Sequence, residues 1–336
     1  MVYTLKELVN IKYGKNQKDV ENPNGKYPIY GTSGLMSYAD KYLYDKPSVL
    51  IGRKGSISKV RFSDKPFWTV DTLFYTEVNE DIVIPKYLYY KMLTMDMREY
   101  NEGTTIPSLR TDTLYRIELD IPNKEIQRRV VKVLDSLEKK KKTNNEINNN
   151  LYKLIKNNYE SLINDCNWEE VELGAISNIT SGKRPVDKSE TGEYPVIGAN
   201  GIMAYTSDYN FNEDLIITGR VGTLGVVKRY LGEIWASDNT LVIQTKYLNY
   251  IENYLKTIDY YSLNRGSTQP LLTQGDLKKQ IIYFNEELVT KFEKDNQIFV
   301  DKIRNNEKEN SKLIQLRDTL LPKLMNGEID LDNIEI

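Results

Sequence analysis

Two kinds of hydrophobic pattern alternate along the chain. Short apolar runs such as Ser48 to Ile51 and Leu215 to Thr218, set off by Gly, Asn-Gly and Pro, read as β-strands, and the patch Tyr87 to Leu93 has helical spacing. Each strand-rich stretch gives way to a long, charged, glycine-free segment, Lys124 to Asn164 and Glu286 to Asn326. In the first, Ile126, Val130, Val133, Leu137, Ile147, Leu151 and Leu154 fall alternately four and three apart across a polar gap at Lys140 and Asn144. That is the seam of a coiled coil. The second carries Leu288, Phe292, Phe299, Ile303, Leu313, Leu320 and Leu324 less regularly, with Asn306 and Asn310 in its polar middle. About forty residues of helix extend about 60 Å, further than a domain of about 120 residues is wide. The pattern therefore predicts that the two helices pair with each other rather than each packing on its own domain.

The two halves repeat one another at an offset of about 167 residues. Leu5 to Ile11 aligns with Leu173 to Ile179, and each is followed by Gly-Lys, at Gly14-Lys15 and Gly182-Lys183. Tyr27 to Gly31 aligns with Tyr194 to Gly198, Gly34 to Tyr38 with Gly201 to Tyr205, and Gly52-Arg53-Lys54-Gly55 with Gly219-Arg220-Val221-Gly222. Trp68 to Thr72 meets Trp235 to Asn239, and Gly103 to Leu109 meets Gly266 to Leu272. The expected fold is α+β, with two strand-rich α/β heads in tandem pseudo-repeat and two long helices forming an antiparallel coiled coil. The boundaries are a head at 1–123, a helix at 124–165, a head at 166–285, a helix at 286–326 and a tail at 327–336. Heads at opposite ends of antiparallel helices would make a dumbbell.

Composition narrows the chemistry. The 336 residues contain no histidine and one cysteine, Cys166, so an internal disulfide, the usual structural zinc sites and a Cys-His nucleophile pair are out of reach; Cys166 reads as a small side chain in or near a core. The formal charge of -2 requires any nucleic-acid contact to come from local clusters of Lys and Arg. Neither a membrane-length apolar stretch nor a signal-peptide plan is seen, which points to the cytoplasm.

Head, long helix, head, long helix resembles the plan of the specificity subunits of type I restriction-modification systems. The motifs agree: apolar-Gly-Arg-x-Gly at Gly52 to Gly55 and Gly219 to Gly222, Gly-Ser/Thr-Thr-x-Pro in each half, and the ending Leu320-Leu321-Pro322-Lys323-Leu324-Met325-Asn326-Gly327. The first long segment opens on Pro122-Asn123-Lys124-Glu125-Ile126-Gln127 as in that family, whereas the second departs from it with Asn285-Glu286-Glu287-Leu288. The resemblance implies a non-catalytic, sequence-specific DNA-binding subunit whose two target-recognition domains read a bipartite target, one half-site each. It also implies partners: double-stranded DNA, DNA adenine methyltransferase subunits held on the helices, and through them the motor-nuclease subunit. S-adenosylmethionine, ATP and Mg would then belong to those partners, with no cofactor in this chain.

Arg53 and Arg220, retained between glycines in both halves, are either parts of a tight turn, pairs for a buried carboxylate, or forked donors for phosphate or guanine. Lys54 is a neighbouring charge. Thr104, Thr105, Ser267, Thr268 and Gln269 offer short polar groups beside a stiffening proline, suited to DNA or to helix capping. Lys15, Lys183 and Arg184 are candidate phosphate neighbours, and Lys139 to Lys142 reads as a solvated helix surface. Gly182-Lys183 is no Walker loop, since Ser177 stands where the first glycine belongs. Asp71 and Asp238 read as turn residues rather than catalytic carboxylates. Two other classes stay open: a Mg-dependent DNA-processing nuclease, and a two-headed coiled-coil scaffold that binds proteins.

Overall fold

The computed structural model describes residues 1–164 and 168–329; Cys166 and most of the 327–336 tail lie outside them. The chain divides into two compact units, Met1–Lys142 with Asn310–Ile336, and Thr143–Glu309. Two 40-residue helices, α4 (Lys124–Ile163) and α8 (Glu286–Met325), contribute to both. Each starts on an asparagine. The Oδ1 of Asn123 accepts from the amide of Ile126, and that of Asn285 from Leu288, satisfying donors that a first turn leaves free. Helix α8 stops where Gly327 takes a φ of 69°, and the amides of Gly327 and Glu328 turn back onto the carbonyls of Leu324 and Lys323.

The first unit comprises β1 (Val2–Thr4), α1 (Leu5–Leu8), β2 (Val9–Tyr13), β3 (Tyr27–Gly31), β4 (Gly34–Ala39), β5 (Ser48–Gly52), β6 (Val60–Ser63), β7 (Trp68–Thr69), β8 (Leu73–Val78), α2 (Pro85–Leu93), α3 (Thr111–Tyr115) and β9 (Glu118–Asp120). An antiparallel sheet β2-β8-β5-β6 lies beside a smaller sheet β4-β3-β7, and β1 pairs with β9. Strand β5 is buried along its whole length, which explains its unbroken apolar run. Its Val49 and Ile51 join Leu5, Leu8, Phe74, Tyr87 and Leu88 in one core that Val130 and Leu134 of α4 and Leu321 and Leu324 of α8 complete, while Leu50 packs with Phe67 and Tyr75.

The second unit repeats that order with β10 (Glu169–Glu172), α5 (Leu173–Ile176), β11 (Asn178–Ser181), β12 (Tyr194–Gly198), β13 (Gly201–Thr206), β14 (Leu215–Gly219), β15 (Lys228–Tyr230), β16 (Trp235–Ala236), β17 (Thr240–Gln244), α6 (Leu248–Leu255), α7 (Gln274–Lys278) and β18 (Ile281–Phe284). The sheets are β11-β17-β14-β15, β13-β12-β16 and β10-β18. Leu173, Ile216, Ile243, Tyr250 and Ile251 close against Ile155 and Tyr159 of α4 and Val289, Phe292 and Val300 of α8.

Within each unit the long helices run antiparallel. In the first, Arg317 of α8 pairs with Glu138 of α4 at 2.8 Å. In the second, Asn306 donates to Asn148 at 2.7 Å and Asn158 to Asn296 at 2.9 Å, so ten residues forward in α4 is ten back in α8. The seam, however, follows the line the apolar residues trace only in part. Ile126 and Leu154 are 42% and 41% exposed. The buried and half-buried positions of α4 run instead through Gln127, Val130, Leu134, Leu137, Lys141, Asn144, Asn148, Leu151, Ile155, Asn158 and Leu162. That is an unbroken alternation of three and four, and polar side chains occupy five of its places. Val130, Leu137 and Leu151 lie on both lines, but reading only apolar residues as core displaced the seam by one position at Ile126, Val133, Ile147 and Leu154 and turned Asn144 into a gap.

Candidate nucleic-acid interface

The repeated motifs converge at one end of the four-stranded sheet in each unit. Strand β5 leaves the sheet through Gly52 and Arg53, beside the turn where β8 enters. The amide of Arg53 donates to the carbonyl of Thr72 at 2.8 Å, and in the second unit Arg220 donates to Asn239 at 2.8 Å. The Gly-Arg-x-Gly loop then pairs with the Gly-Ser/Thr-Thr-x-Pro loop. Gly55 donates to Pro107 at 2.8 Å and Leu109 to Arg53 at 2.9 Å; Gly222 donates to Pro270 at 2.9 Å and Leu272 to Arg220 at 2.8 Å. Gly55 and Gly222 have φ of 82° and 85°, a conformation that only glycine adopts without strain.

A third motif joins from β2. The amides of Lys15 and Lys183 donate to Thr69 and Ala236, and their carbonyls accept the indole N–H of Trp68 and Trp235 at 2.9 and 2.8 Å. A Cβ on Gly14 would lie 2.0 Å from the carbonyl oxygen of Val70, and one on Gly182 2.2 Å from that of Ser237. Hence the Gly-Lys pair in both halves: glycine lets the backbone in, and the lysine follows into solvent. The side chains of Lys15, Lys54, Lys183 and Arg184 are exposed and make no ion pair among the described residues.

Arg53 and Arg220 are half-buried. Each donates through Nη1 to a backbone carbonyl, that of Asp71 at 2.8 Å and that of Asp238 at 3.2 Å. Neither pairs with a carboxylate among the described residues, so the ion-pair reading of these arginines does not hold. One donor of each guanidinium is thus spent on the turn, and no other hydrogen bond engages either side chain among the described residues. Arg53 also lies 5.0 Å from the ring centre of Tyr13; by the strand register its counterpart beside Arg220 is Ser181. Asp71 and Asp238 enter through their main chain. No group of three or more His, Cys, Asp or Glu poised for a metal occurs among the described residues.

Thr104, Thr105, Ser267, Thr268 and Gln269 are exposed at the loop tip and cap no helix. The residue preceding α3 is Arg110, and α7 is capped by Thr273, whose side chain accepts from Asp276. What shapes the loop was missed in the sequence. The Asn101 Oδ1 accepts from both Gly103 and Ser108, each at 2.9 Å, and Asn264 Oδ1 from both Gly266 and Leu271, each at 2.9 Å. One amide thus clamps both ends of the loop. Its signal was the same asparagine two residues before the repeated glycine in both halves. In the second unit Arg265 beside it pairs with Asp276 at 2.8 Å; hydrogen bonds from Arg265 and Thr273 hold that carboxyl down at about 2.

The cluster in each unit offers cationic side chains, a half-buried guanidinium and short hydroxyls on a backbone fixed by its own hydrogen bonds. This is the inventory for phosphate and base-edge contact. No helix is long and apolar enough to cross a membrane among the described residues.

Residues 1–153 and 166–314 match the profile of the type I restriction modification DNA specificity domain. The chain is 27% identical to the type I restriction enzyme MjaIX specificity subunit of Methanocaldococcus jannaschii, over 94% of this chain and 86% of that protein. It is 25% identical to a putative type I restriction enzyme specificity subunit of Haemophilus influenzae, over 82% and 80%. In fold it is similar to the crystal structure of the type I restriction-modification S subunit of M. genitalium, with a TM-score of 0.63 at 21% identity, covering 96% of this chain and 95% of that one. The two matched stretches make up most of the chain and each carries one copy of the loop cluster: the chain belongs to the type I restriction-modification specificity subunits, the DNA-recognition components that perform no catalysis themselves.

Proposed function

We propose that each unit reads one half of a bipartite duplex target through its own loop cluster. Lys15, Lys54, Thr104 and Thr105 would position one half-site and Lys183, Arg184, Ser267, Thr268 and Gln269 the other, while Arg53 and Arg220 face bases. The observation that carries this reading is the duplicated cluster, in which four motifs far apart in sequence meet twice with the same main-chain hydrogen bonds. The long helices, unlike the loops, present the surfaces for DNA adenine methyltransferase subunits, and through these the motor-nuclease subunit joins. S-adenosylmethionine, ATP and Mg are required by those partners.

Electrophoretic shift of the full chain on a pool of random-sequence duplexes, across a salt series, tests this directly. Phosphate contacts predict a steep loss of affinity with salt. Arg53→Ala should relax one position of one half-site and Arg220→Ala one position of the other, each by about 1–3 kcal/mol if the contact is bidentate to guanine. A scaffold for proteins predicts no such affinity, and a nuclease predicts Mg-dependent cleavage by the chain alone.

A further inference from the structure

A second feature of each unit is duplicated as closely as the loop cluster. The hairpin β3–β4 turns between Gly31 and Gly34, and β12–β13 between Gly198 and Gly201, and each has a register shift at the same place, Ile29/Tyr30 and Val196/Ile197. Such a bulge re-aims the side chains beyond it. Gly34 and Gly201 have φ of 129° and 127°. Just past them stand Leu35-Met36 and Ile202-Met203, whose exposures are 54%, 55%, 58% and 50%. Each methionine sulfur lies against the strand glycine opposite. A Cβ on Gly31 would be 2.2 Å from the Met36 sulfur, and one on Gly198 3.0 Å from that of Met203.

Each tip also accepts a hydrogen bond from a cation. Arg61 donates to the carbonyl of Ser33 at 2.7 Å, and Lys228 to that of Asn200 at 3.1 Å. Neither cation pairs with a carboxylate among the described residues. In the second unit Asn200 donates to the Thr223 hydroxyl at 3.2 Å, and the tip shares one shallow depression with Val221 to Thr223 and Asn239. The tip is therefore continuous with the candidate interface.

We infer that each hairpin tip is a DNA-contacting element, with Leu35-Met36 and Ile202-Met203 lodged in a groove of the duplex against thymine 5-methyl groups. The inference rests on reading the two units as DNA readers. An apolar pair mounted on an unpaired cation suits a groove walled by phosphates and poorly suits an apolar protein surface. Among base edges, the thymine methyl is the apolar feature that Leu, Ile and Met can recognise. Exposing the same apolar pair on the same fixed turn in both units exceeds the scatter of single surface hydrophobics.

The test uses the full chain and the duplexes it enriches from a random pool. Each enriched duplex is made with thymine and again with uracil, which lacks only the methyl. The parent should bind the uracil form about fourfold more weakly for each contacted methyl. Leu35→Ser with Met36→Ser should abolish that difference in one half-site, and Ile202→Ser with Met203→Ser in the other, with the salt dependence unchanged. Equal binding of both duplexes by the parent overturns the inference, as does an enriched half-site without thymine. It also falls if folded tip variants bind as the parent does, or lose only self-association. A parent that enriches no duplex removes the DNA reading itself, a result distinct from enrichment that ignores the tips.

Discussion

The two units place opposite chemistry at one equivalent position. Strand registers align Phe62 with Arg229, opposite Val49 and Ile216. In the first unit Phe62 packs on Tyr89 with ring centres 5.6 Å apart. In the second, Arg229 pairs with Glu252 at 2.8 Å, the side chains only 8% and 7% exposed. The start of the short helix differs likewise. Gln127 of α4 accepts the amide of Ile84 ahead of α2, whereas Glu293 of α8 accepts the amides of Asn249 and Tyr250 at the start of α6. One backbone thus tolerates a half-buried aromatic pair, with the Lys86 ammonium 4.5 Å from the Phe62 ring centre, and a buried ion pair. Buried ion pairs recover little more than their desolvation cost, so the ionic version gains no stability; what it changes is the penalty for losing one member.

The largest expected effect follows from that asymmetry. Glu252→Ala leaves Arg229 buried beside a lost partner and should destabilise the second unit by about 3–5 kcal/mol. Tyr89→Ala, which forfeits a half-buried ring, should cost the first about 2 kcal/mol. Combining Arg229→Phe with Glu252→Tyr copies the first unit and should restore most of the loss. Hydrogen exchange reports each unit separately, and a double variant as unstable as Glu252→Ala would break the equivalence.

The helix seam offers a smaller contrast. The repeat places Leu134 and Leu320, in the first core, where the second unit has Asn296 and Asn158. Asn296→Leu alone strands the Asn158 amide and should cost about 1–3 kcal/mol, while leucine at both positions should be neutral or stabilising. The double variant should also loosen register, since buried asparagines specify it at the expense of stability. Cysteine cross-linking along the two helices would measure that slippage; a single retained register would mean that packing alone determines alignment.

The smallest effect is on pH dependence. Burial raises the Glu293 carboxyl above its ordinary value of 4.5, against the lowering influence of the Tyr250 and Asn249 donors and Arg229. A raised carboxyl contributes stability fully below 4.5 and loses it as pH rises through the folded value. Glu293→Gln, which keeps an acceptor oxygen but cannot ionise, should remove this component, so the melting difference between parent and variant should change across that interval and be flat elsewhere. Asp276 has the opposite sign: its stabilisation is present above 3.8 and lost toward about 2, weakened by solvent screening. A pH-independent difference for Glu293→Gln would place this carboxyl in a wetter environment.

Much of this architecture was legible because glycine and tryptophan leave signatures that survive divergence. Gly14, Gly55, Gly182 and Gly222 recur because a Cβ or another φ is excluded there, and they mark the loops that meet. The seam was harder to read, because Asn144 and Asn148 hydrogen-bond across to α8 and Gln127 to the segment ahead of α2, while all three look like surface. Phe62–Tyr89 against Arg229–Glu252 was illegible, since which charged residue finds a buried partner depends on strand register that neither residue type reveals. Arg53 falls between these cases: repetition singled it out, but only its bond to the carbonyl of Asp71 shows how much of the side chain is already engaged.

The core of the first unit has a consequence for synthesis. Val130 and Leu134 are covered by Leu321 and Leu324, and the Lys91 ammonium donates to the carbonyl of Met325, although residue 142 closes the first stretch of that unit. The second unit is a single stretch, 143–309. A ribosome adding about 5–20 residues per second leaves roughly ten to forty seconds between those two parts of the first core. During that interval the earlier-made head carries an open apolar trough, while the later-made one already has every segment it needs, so the head translated first is the one completed second.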